Sequence, residues 1–281
     1  MIITIASGKG GAGKTFVACA LARELAKNHR VLLVDADCEC ANARIFFSGA
    51  KLKEEKGVKT FFPEVEKKLC NRCGACTRAC RANAIFPAKD GYPVILHELC
   101  NSCGACFIAC TQNALKKRFR EIGKIREFEI SSHFSLLEGE LFSGERESMP
   151  LLRELWKRAE KILGEVDFAV IDSPPGVRCA SLFCMEKSDL VLLVAEASEF
   201  GMSDALRTAK ACRFLQKNFF VVLNKVSKGS SEFPEREKIV KRIPFSREIL
   251  ESCAKGTLPE REKIKALAEF VVGLNEENSG G

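Results

Sequence analysis

Two segments of this 281-residue chain carry the same cysteine pattern thirty residues apart. Residues 69–85 and 99–115 are identical at eleven of seventeen positions, which indicates an internal duplication. Each copy reads CxxCxxCxxxC, and the eight cysteines are Cys70, Cys73, Cys76, Cys80, Cys100, Cys103, Cys106 and Cys110.

This spacing is typical of a [4Fe-4S] site. Three thiolates placed two residues apart can each bind one corner of a cube, while small residues such as Gly74 and Gly104 keep the backbone close. The fourth cysteine comes after the chain has left the first cube, so it should bind the cluster of the other repeat. We therefore predict one cluster on Cys70, Cys73, Cys76 and Cys110, and a second on Cys80, Cys100, Cys103 and Cys106.

Zinc and disulfides are the alternatives for so many cysteines. Zinc sites usually use separated CxxC pairs, which fit this dense pattern poorly. Disulfides are disfavoured because the N-terminus shows no signal peptide. The segment resembles the bacterial two-cluster ferredoxins, although Arg81 and Thr111 stand where those proteins usually have a proline.

A second motif lies near the N-terminus. The apolar run 2–6 predicts a buried strand, the glycine-rich residues 8–15 follow it, and residues 16–27 have a helical pattern. Strand, glycine loop and helix are the context of a phosphate-binding loop. Backbone amides of Gly8, Gly10, Gly11, Ala12 and Gly13 are expected to surround the phosphates of ATP. Lys14 should reach the β- and γ-phosphates, and the Thr15 hydroxyl should bind Mg²⁺.

Lys9 makes a family resemblance specific. Its place directly after the first glycine is similar to that of the signature lysine in the deviant Walker A ATPases, which include the MinD, ParA and Mrp proteins and the nitrogenase iron protein. The resemblance implies an ATP-dependent homodimer in which Lys9 reaches the phosphates of the opposite subunit. A second cation there would neutralise charge that develops on the γ-phosphoryl oxygens.

Further motifs of the ATPase resemblance follow at the ends of predicted strands. The strand 31–37 ends in paired aspartates, and the resemblance implies that Asp37 positions the attacking water and that Asp35 lies near the metal. A strand-end cap is the alternative for Asp35. The strand 167–172 ends in Asp172, which is typical of a Walker B carboxylate that holds Mg²⁺.

The C-terminal half completes the resemblance. Residues 174–176 resemble the switch II loop, and Asn224 is similar to the family's adenine-binding asparagine. Pro244 and Phe245 resemble the loop that holds the base. Cys179 has an offset from the Walker B aspartate like that of a cluster cysteine in the nitrogenase iron protein, but a structural thiol is favoured.

These motifs predict an α/β fold in which a P-loop NTPase domain with a doubly wound, mostly parallel sheet contains an inserted small α+β ferredoxin-like domain. We place the ATPase domain at 1–55 and 126–281 and the inserted 2[4Fe-4S] domain at 56–125, and we interpret the charged stretch after Ser48 as a linker. The terminal helix, predicted over 260–274, should dock on the core.

Charge and hydropathy narrow the classes of partner. The net charge is +7, and residues 51–130 alone hold sixteen basic and nine acidic residues. Cations near two anionic clusters are expected, so nucleic acid is not favoured as a partner. No apolar run is long enough to cross a bilayer, and fifteen cysteines favour the reducing cytoplasm.

The sequence thus predicts an ATPase whose nucleotide state gates electron transfer through two clusters to a redox partner. Two alternatives stay open. One is an Mrp-type ATPase that carries clusters or metal to client proteins, and the other is a MinD- or ParA-like regulatory switch with redox-sensing clusters.

Overall fold

A computed structural model describes residues 1–259 and 262–279. The strands of the described chain are β1 (Ile2–Ala6), β2 (Val31–Asp35), β3 (Lys51–Val65), β4 (Ile85–Pro87), β5 (Pro93–Ile95), β6 (Leu115–Ser131), β7 (Phe134–Leu141), β8 (Phe168–Asp172), β9 (Leu190–Glu196), β10 (Asn218–Val226) and β11 (Ile239–Pro244). The helices are α1 (Lys14–Leu25), α2 (Ala75–Ala79), α3 (Ala105–Ala109), α4 (Met149–Leu163), α5 (Cys179–Lys187), α6 (Glu199–Phe214), α7 (Arg247–Ala254) and α8 (Glu262–Ser279).

Nine of the strands form one sheet in the order β11-β10-β9-β1-β8-β2-β7-β6-β3. Each neighbouring pair from β11 to β7 is parallel. Strands β2 and β8 are buried at every position, as expected where helices cover both faces of a parallel sheet. These observations confirm the predicted α/β fold with a mostly parallel sheet.

The parallel arrangement brings the carboxylates at the strand ends to one edge of the sheet. In the register of β2 and β8, Asp35 lies beside Asp172, and on the other side of β2 it lies beside Glu138. Parallel strands end on the same side, so the loops after β1, β2 and β8 all lie at the edge where doubly wound folds bind ligands.

The chain divides into two compact units. The first contains residues 1–55, 125–140 and 155–281, and the second contains residues 56–124 and 141–154. The second unit includes 141–154, which the sequence analysis assigned to the ATPase domain. Two contacts within the unit explain this: the Phe142 amide donates to the Ile122 carbonyl over 2.8 Å, and Arg120 forms an ion pair with Glu145.

The stretch after Ser48 is not a linker. It forms the long edge strand β3, and residues 51–57 are all exposed. The charge density that suggested a linker suits an exposed edge, because charged side chains there discourage pairing with other chains. Ion pairs from Lys53 to Glu129 and from Lys59 to Glu121 hold β3 beside β6.

The terminal helix α8 packs on the core as predicted. Ile264, Leu267 and Val271 are buried in the same hydrophobic cluster as α1. Residues 260 and 261 of the predicted helix lie outside the described residues. No described helix is both long and apolar enough to span a membrane.

Candidate functional site

The predicted phosphate loop connects β1 to α1. Gly11 and Gly13 adopt left-handed φ values of 77° and 95°, which side chains rarely tolerate. The loop leads directly into α1, whose first residue Lys14 is buried. The helix N-terminus and the loop amides therefore lie together, which is the arrangement that binds phosphate.

Asn224 braces this loop from the end of β10. Its side-chain amide donates to the Ala12 carbonyl over 2.8 Å, and a methyl group at Gly13 would collide with the same amide. The Asn224 side-chain oxygen accepts from the Lys225 amide. The structure thus gives Asn224 a contact with the phosphate loop, which the sequence analysis did not anticipate, and the adenine contact stays a prediction.

We expect Asn224→Ala to weaken ADP binding about tenfold and to lower the free energy of unfolding by about 1–3 kcal/mol, because the buried Ala12 carbonyl loses its partner. Calorimetric titration with ADP and urea unfolding measure the two effects. Asn218→Ala, at the exposed opposite end of β10, is the matched control. An unchanged ADP affinity would remove Asn224 from the site.

Asp172 has the properties of a metal ligand. Its side chain is buried, and neither carboxylate oxygen has a hydrogen-bond partner among the described residues. Burial raises the pKa of Asp172 to about 6, although the positive charge of Lys14 and the nearby Thr15 hydroxyl, which does not reach good hydrogen-bond geometry, oppose the shift. A buried carboxylate without partners is costly unless a cation joins it, so Asp172 with Thr15 fits the Mg²⁺ that accompanies ATP.

The other two aspartates differ from each other. One oxygen of Asp35 accepts hydrogen bonds from the amides of Asn42 and Ala43, each over 2.8 Å. Asp35 therefore caps the turn after β2, which agrees with the alternative of a strand-end cap. Burial raises the pKa of Asp35 well above its usual value. Asp37 is half-buried, and Lys14 partly offsets the rise in its pKa that burial causes. Asp37 is thus close enough to Lys14 for the two charges to interact, and its role in positioning water stays a prediction.

The predicted signature lysine is held within its own chain. Lys9 Nζ lies 3.5 Å from Glu196 Oε2, and Lys225 Nζ lies 3.3 Å from the same oxygen. Burial acts to raise the pKa of Glu196, but the two lysines outweigh it and the pKa is lowered. Glu196 was missed in the sequence, although it ends β9 as Asp35 ends β2 and Asp172 ends β8.

The residues predicted to bind the base lie at the C-terminal end of β11. Pro244 is the last residue of that strand, and the Phe245 amide donates to the Val226 carbonyl over 2.8 Å. Phe245 is 57% exposed, so its ring is available to a flat ligand. Both residues therefore lie beside the end of β10, where Asn224 braces the phosphate loop.

The eight motif cysteines line two separate cavities in the second unit. Both cavities are of similar size, about 350 and 330 Å³ with the open solvent at their mouths included. The first is lined by Cys70, Cys73, Cys76 and Cys110, and the second by Cys80, Cys100, Cys103 and Cys106. Each cavity therefore takes three cysteines from one repeat and the fourth from the other.

The two repeats also share an unusual backbone. Left-handed φ values recur thirty residues apart, at 59° and 56° for Arg72 and Ser102 and at 51° and 50° for Asn83 and Asn113. The sulfur of the fourth cysteine accepts a backbone amide in each repeat, over 3.3 Å. Left-handed non-glycine residues are uncommon, and their repetition shows that both loops are shaped around the cysteines in the same way.

The eight cysteines do not form a site for a single metal ion. Among the described residues, no three His, Cys, Asp or Glu side chains stand close enough together to hold one metal ion. The [4Fe-4S] sites that the cysteine pattern of the sequence suggests therefore stay a prediction. Burial raises the pKa of Cys106 to about 11, so binding of iron would have to displace its proton.

The remaining cysteines form no comparable set. Cys179 begins α5 and is exposed, Cys40 is also exposed, and Cys38 and Cys184 are buried thiols. Burial raises the pKa of Cys184 to about 12, which favours an unreactive structural thiol.

The chain has relatives that match it over nearly its whole length. The chain is 31% identical to an uncharacterized protein of Methanocaldococcus jannaschii over 96% of this chain and 98% of that protein. It is 25% identical to an uncharacterized ATP-binding protein of the same organism, over 95% of this chain and 78% of the relative.

Solved structures show the same fold at lower identity. The septum site-determining protein MinD complexed with Mg-ADP from Pyrococcus horikoshii OT3 superimposes with a TM-score of 0.60 at 18% identity, over 98% of both chains. The cell division ATPase MinD of Pyrococcus furiosus gives a TM-score of 0.60 at 19% identity, over 97% of this chain and 98% of that one.

A family model matches most of the chain. The model of the CobQ/CobB/MinD/ParA nucleotide binding domain matches residues 3–270, which include the phosphate loop, the three strand-end carboxylates and the loop after β11. The chain therefore belongs to the CobQ/CobB/MinD/ParA family of nucleotide-binding proteins.

Proposed function

We propose that this protein binds and hydrolyses ATP and that its nucleotide state gates electron transfer through two [4Fe-4S] clusters to a partner protein. The observation that carries the proposal is the lining of the two cavities. A chain with a nucleotide-binding fold encloses four thiols in each of two similar cavities, and the fourth thiol comes from the other repeat. Neither zinc ribbons nor disulfides explain why the fourth thiol of each cavity comes from the other repeat.

The proposed nucleotide site uses the residues that surround the phosphate loop. Lys14 would neutralise the β- and γ-phosphates, and Asp172 and Thr15 would hold Mg²⁺. Asp37 would orient the water that attacks the γ-phosphorus, since it is half-buried and close enough to Lys14 for the two charges to interact. The loop amides of Gly8, Gly10, Gly11, Ala12 and Gly13 would surround the phosphates, and Pro244 and Phe245 would contact the base.

The proposed cluster sites use all eight motif cysteines. When bound, each cluster would accept and release one electron at a time. The cysteines would fix the clusters in place, and the surrounding amides, such as those of Ala84 and Ala114, would donate hydrogen bonds to cysteine sulfur. Such hydrogen bonds and the local charge set the reduction potential of an iron–sulfur site.

Gating requires that the nucleotide site and the cysteine sites communicate. We propose an ATPase domain formed by 1–55, 126–140 and 155–281. The inserted domain would contain 56–125 and also 141–154. Strands β3 and β6 each contain residues of both units, so the chain passes between the units within regular structure.

The test compares two nucleotides. Anaerobically purified protein should contain iron and acid-labile sulfide, and after reduction with dithionite it should pass electrons to a dye faster with ATP than with ADP. Equal rates with intact hydrolysis would contradict the gate. Absence of iron and sulfide would contradict the cluster sites themselves.

A carrier of clusters is the second candidate. One cysteine of each cavity, Cys73 and Cys103, is exposed, which would let a client protein reach the bound group. Transfer of radiolabelled iron from the loaded protein to an apo-ferredoxin distinguishes the two functions, because a relay retains its iron while its electrons leave. Retention of the iron supports the relay.

ATP is further expected to produce a homodimer through Lys9. We expect Lys9→Ala to raise the dissociation constant of the ATP-bound dimer at least about tenfold, because the cation offered to the opposite phosphates is lost. Light scattering coupled to gel filtration measures the dimer. Lys210→Ala, on the exposed side of α6, is the matched control, and an ATP dimer that survives Lys9→Ala would contradict the role of Lys9.

A further inference from the structure

Three cations lie at or beside the first cysteine cavity. Arg72 lines it, the Arg78 guanidinium donates to the Cys73 carbonyl over 3.0 Å, and Lys67 lies 5.0 Å from the centre of the Tyr92 ring. Arg72 lies 4.4 Å from the centre of the same ring and donates to the Tyr92 hydroxyl. The three positive charges thus belong to one continuous surface, which we name the Arg72 surface and define as Lys67, Arg72 and Arg78.

None of the three cations of the Arg72 surface forms an ion pair within 4 Å among the described residues, although the charge of Asp90 acts on Arg72 at longer range. Four other basic side chains of the same unit do form ion pairs with carboxylates, in the pairs Lys59–Glu121, Lys116–Glu66, Arg118–Glu64 and Arg120–Glu145. Unpaired cations that touch repel one another, so their clustering is unfavourable for the isolated chain. We therefore expect the cations of the Arg72 surface to bind a negatively charged partner molecule.

The internal duplication provides a control within the molecule. Thirty residues further along the chain, the equivalents of Lys67, Arg72 and Arg78 are His97, Ser102 and Ile108. Ser102 lines the second cavity just as Arg72 lines the first, and Ile108 is 88% exposed.

Compensation of cluster charge explains only part of this difference. Both cavities offer four thiols and would hold the same anionic group, so compensation alone would place similar cations at both. The second cavity has Arg120 near Cys100, but Arg120 is already paired with Glu145. Lys117 lies against the rings of Phe61 and Phe107.

The position of the surface indicates the kind of partner. Cys73 is exposed at the same mouth, so a protein that docks there would approach the first cavity closely. Nucleic acid is less suited, because the Tyr92 ring that could stack on a base already carries Lys67 and Arg72. Charge of one sign at such a mouth accelerates encounter with a partner of the opposite sign.

We infer that the Arg72 surface is the docking site for an electron-carrier protein with an acidic surface, and that the first cavity is consequently the exit of the relay. This inference rests on the proposed function. In each encounter one electron leaves the reduced protein and reduces the carrier, and dithionite supplies that electron in the test.

The test uses an acidic flavodoxin as the probe and the double variant Arg72→Ser with Arg78→Ile. These substitutions install the residues of the second repeat, and Ser102 shows that serine tolerates the left-handed backbone at this position. At low ionic strength we expect the second-order rate of flavodoxin reduction to fall about tenfold and the dissociation constant of oxidised flavodoxin to rise by a similar factor. The salt dependence of both should become shallower.

The control variant removes the same charge elsewhere. Lys51→Ser with Lys56→Ser acts on exposed cations of β3 and should keep the flavodoxin rate within about twofold. Reduction of uncharged menadione should be equal in all three proteins, and basic cytochrome c should not be slowed by the Arg72 and Arg78 changes.

Two results would overturn the inference while leaving the proposed function intact. One is an unchanged flavodoxin rate and affinity in a variant that still contains iron and reduces menadione. The other is loss of affinity for a poly-dT oligonucleotide with flavodoxin reduction unaffected, which would assign the surface to nucleic acid. Absence of iron from the unaltered protein would contradict the proposed function, and the inference with it.

Discussion

Asp172→Asn should abolish most ATP hydrolysis and at the same time stabilise the protein. Loss of the carboxylate removes a ligand of Mg²⁺, and hydrolysis should fall about a hundredfold or more. The same change removes a buried charge whose oxygens have no hydrogen-bond partner among the described residues. Colorimetric phosphate release and urea unfolding in magnesium-free buffer measure the two effects.

The size of the stabilisation depends on pH. The pKa of Asp172 is about 6 in the folded chain and 3.8 in its ordinary state, so ionisation opposes folding by up to about 3 kcal/mol. The folded state holds the proton more tightly, so this cost is complete above pH 6 and vanishes below pH 4. The stability difference between Asp172→Asn and the unaltered protein should therefore shrink as the pH falls from 6 to 4.

Asp167→Asn is the matched control for this prediction. Asp167 stands just before the other end of β8 and accepts from Arg30, whose hydrogen bonds lower the pKa of Asp167. Its replacement should leave hydrolysis unchanged and should not stabilise the chain. Hydrolysis by Asp172→Asn at the rate of the unaltered protein would contradict the assignment of Asp172 to the metal.

Two double cysteine variants should lose different amounts of iron. Cys76→Ser with Cys110→Ser removes two thiols of the first cavity, so iron and acid-labile sulfide should fall by half. Cys106→Ser with Cys110→Ser removes one thiol from each cavity, so both sites should be damaged and nearly all iron should be lost. Each variant lacks two cysteines, and only the distribution between the cavities differs.

Iron analysis and electron paramagnetic resonance of the reduced proteins distinguish the outcomes. If each repeat bound its own cluster, Cys76→Ser with Cys110→Ser would instead damage both sites, and Cys106→Ser with Cys110→Ser would damage one. Cys212→Ser, a buried cysteine of α6, is the control and should keep all the iron. The reverse pattern would contradict the crossed lining.

Much of this architecture was predictable because it depends on local pattern. The phosphate loop must be glycine-rich to turn its amides inward, and the parallel strands must be apolar throughout because both faces are covered. For that reason β1, β2 and β8 and the loop before Lys14 were located correctly. The crossed distribution of cysteines followed from the length of the spacer before Cys80 and Cys110.

Other features had no local signal. The charged stretch 51–57 lacks the alternation of a strand, and only its pairing beside β6 makes it one. The contact between Asn224 and Ala12 joins residues 212 positions apart. Such contacts depend on which strands become neighbours, and the order of strands in a sheet is a property of the whole chain.

The sequence by itself determined the fold class, the phosphate loop and the cysteine motifs, because each depends on residue type at short and regular spacing. Only the tertiary structure decided that Asp35 caps a turn, that Asp172 is buried without a partner and that Glu196 holds Lys9. Only the tertiary structure decided, too, that Lys67, Arg72 and Arg78 lie together beside one cavity. Burial and ion pairing arise between distant segments, so they exist only after the chain has folded.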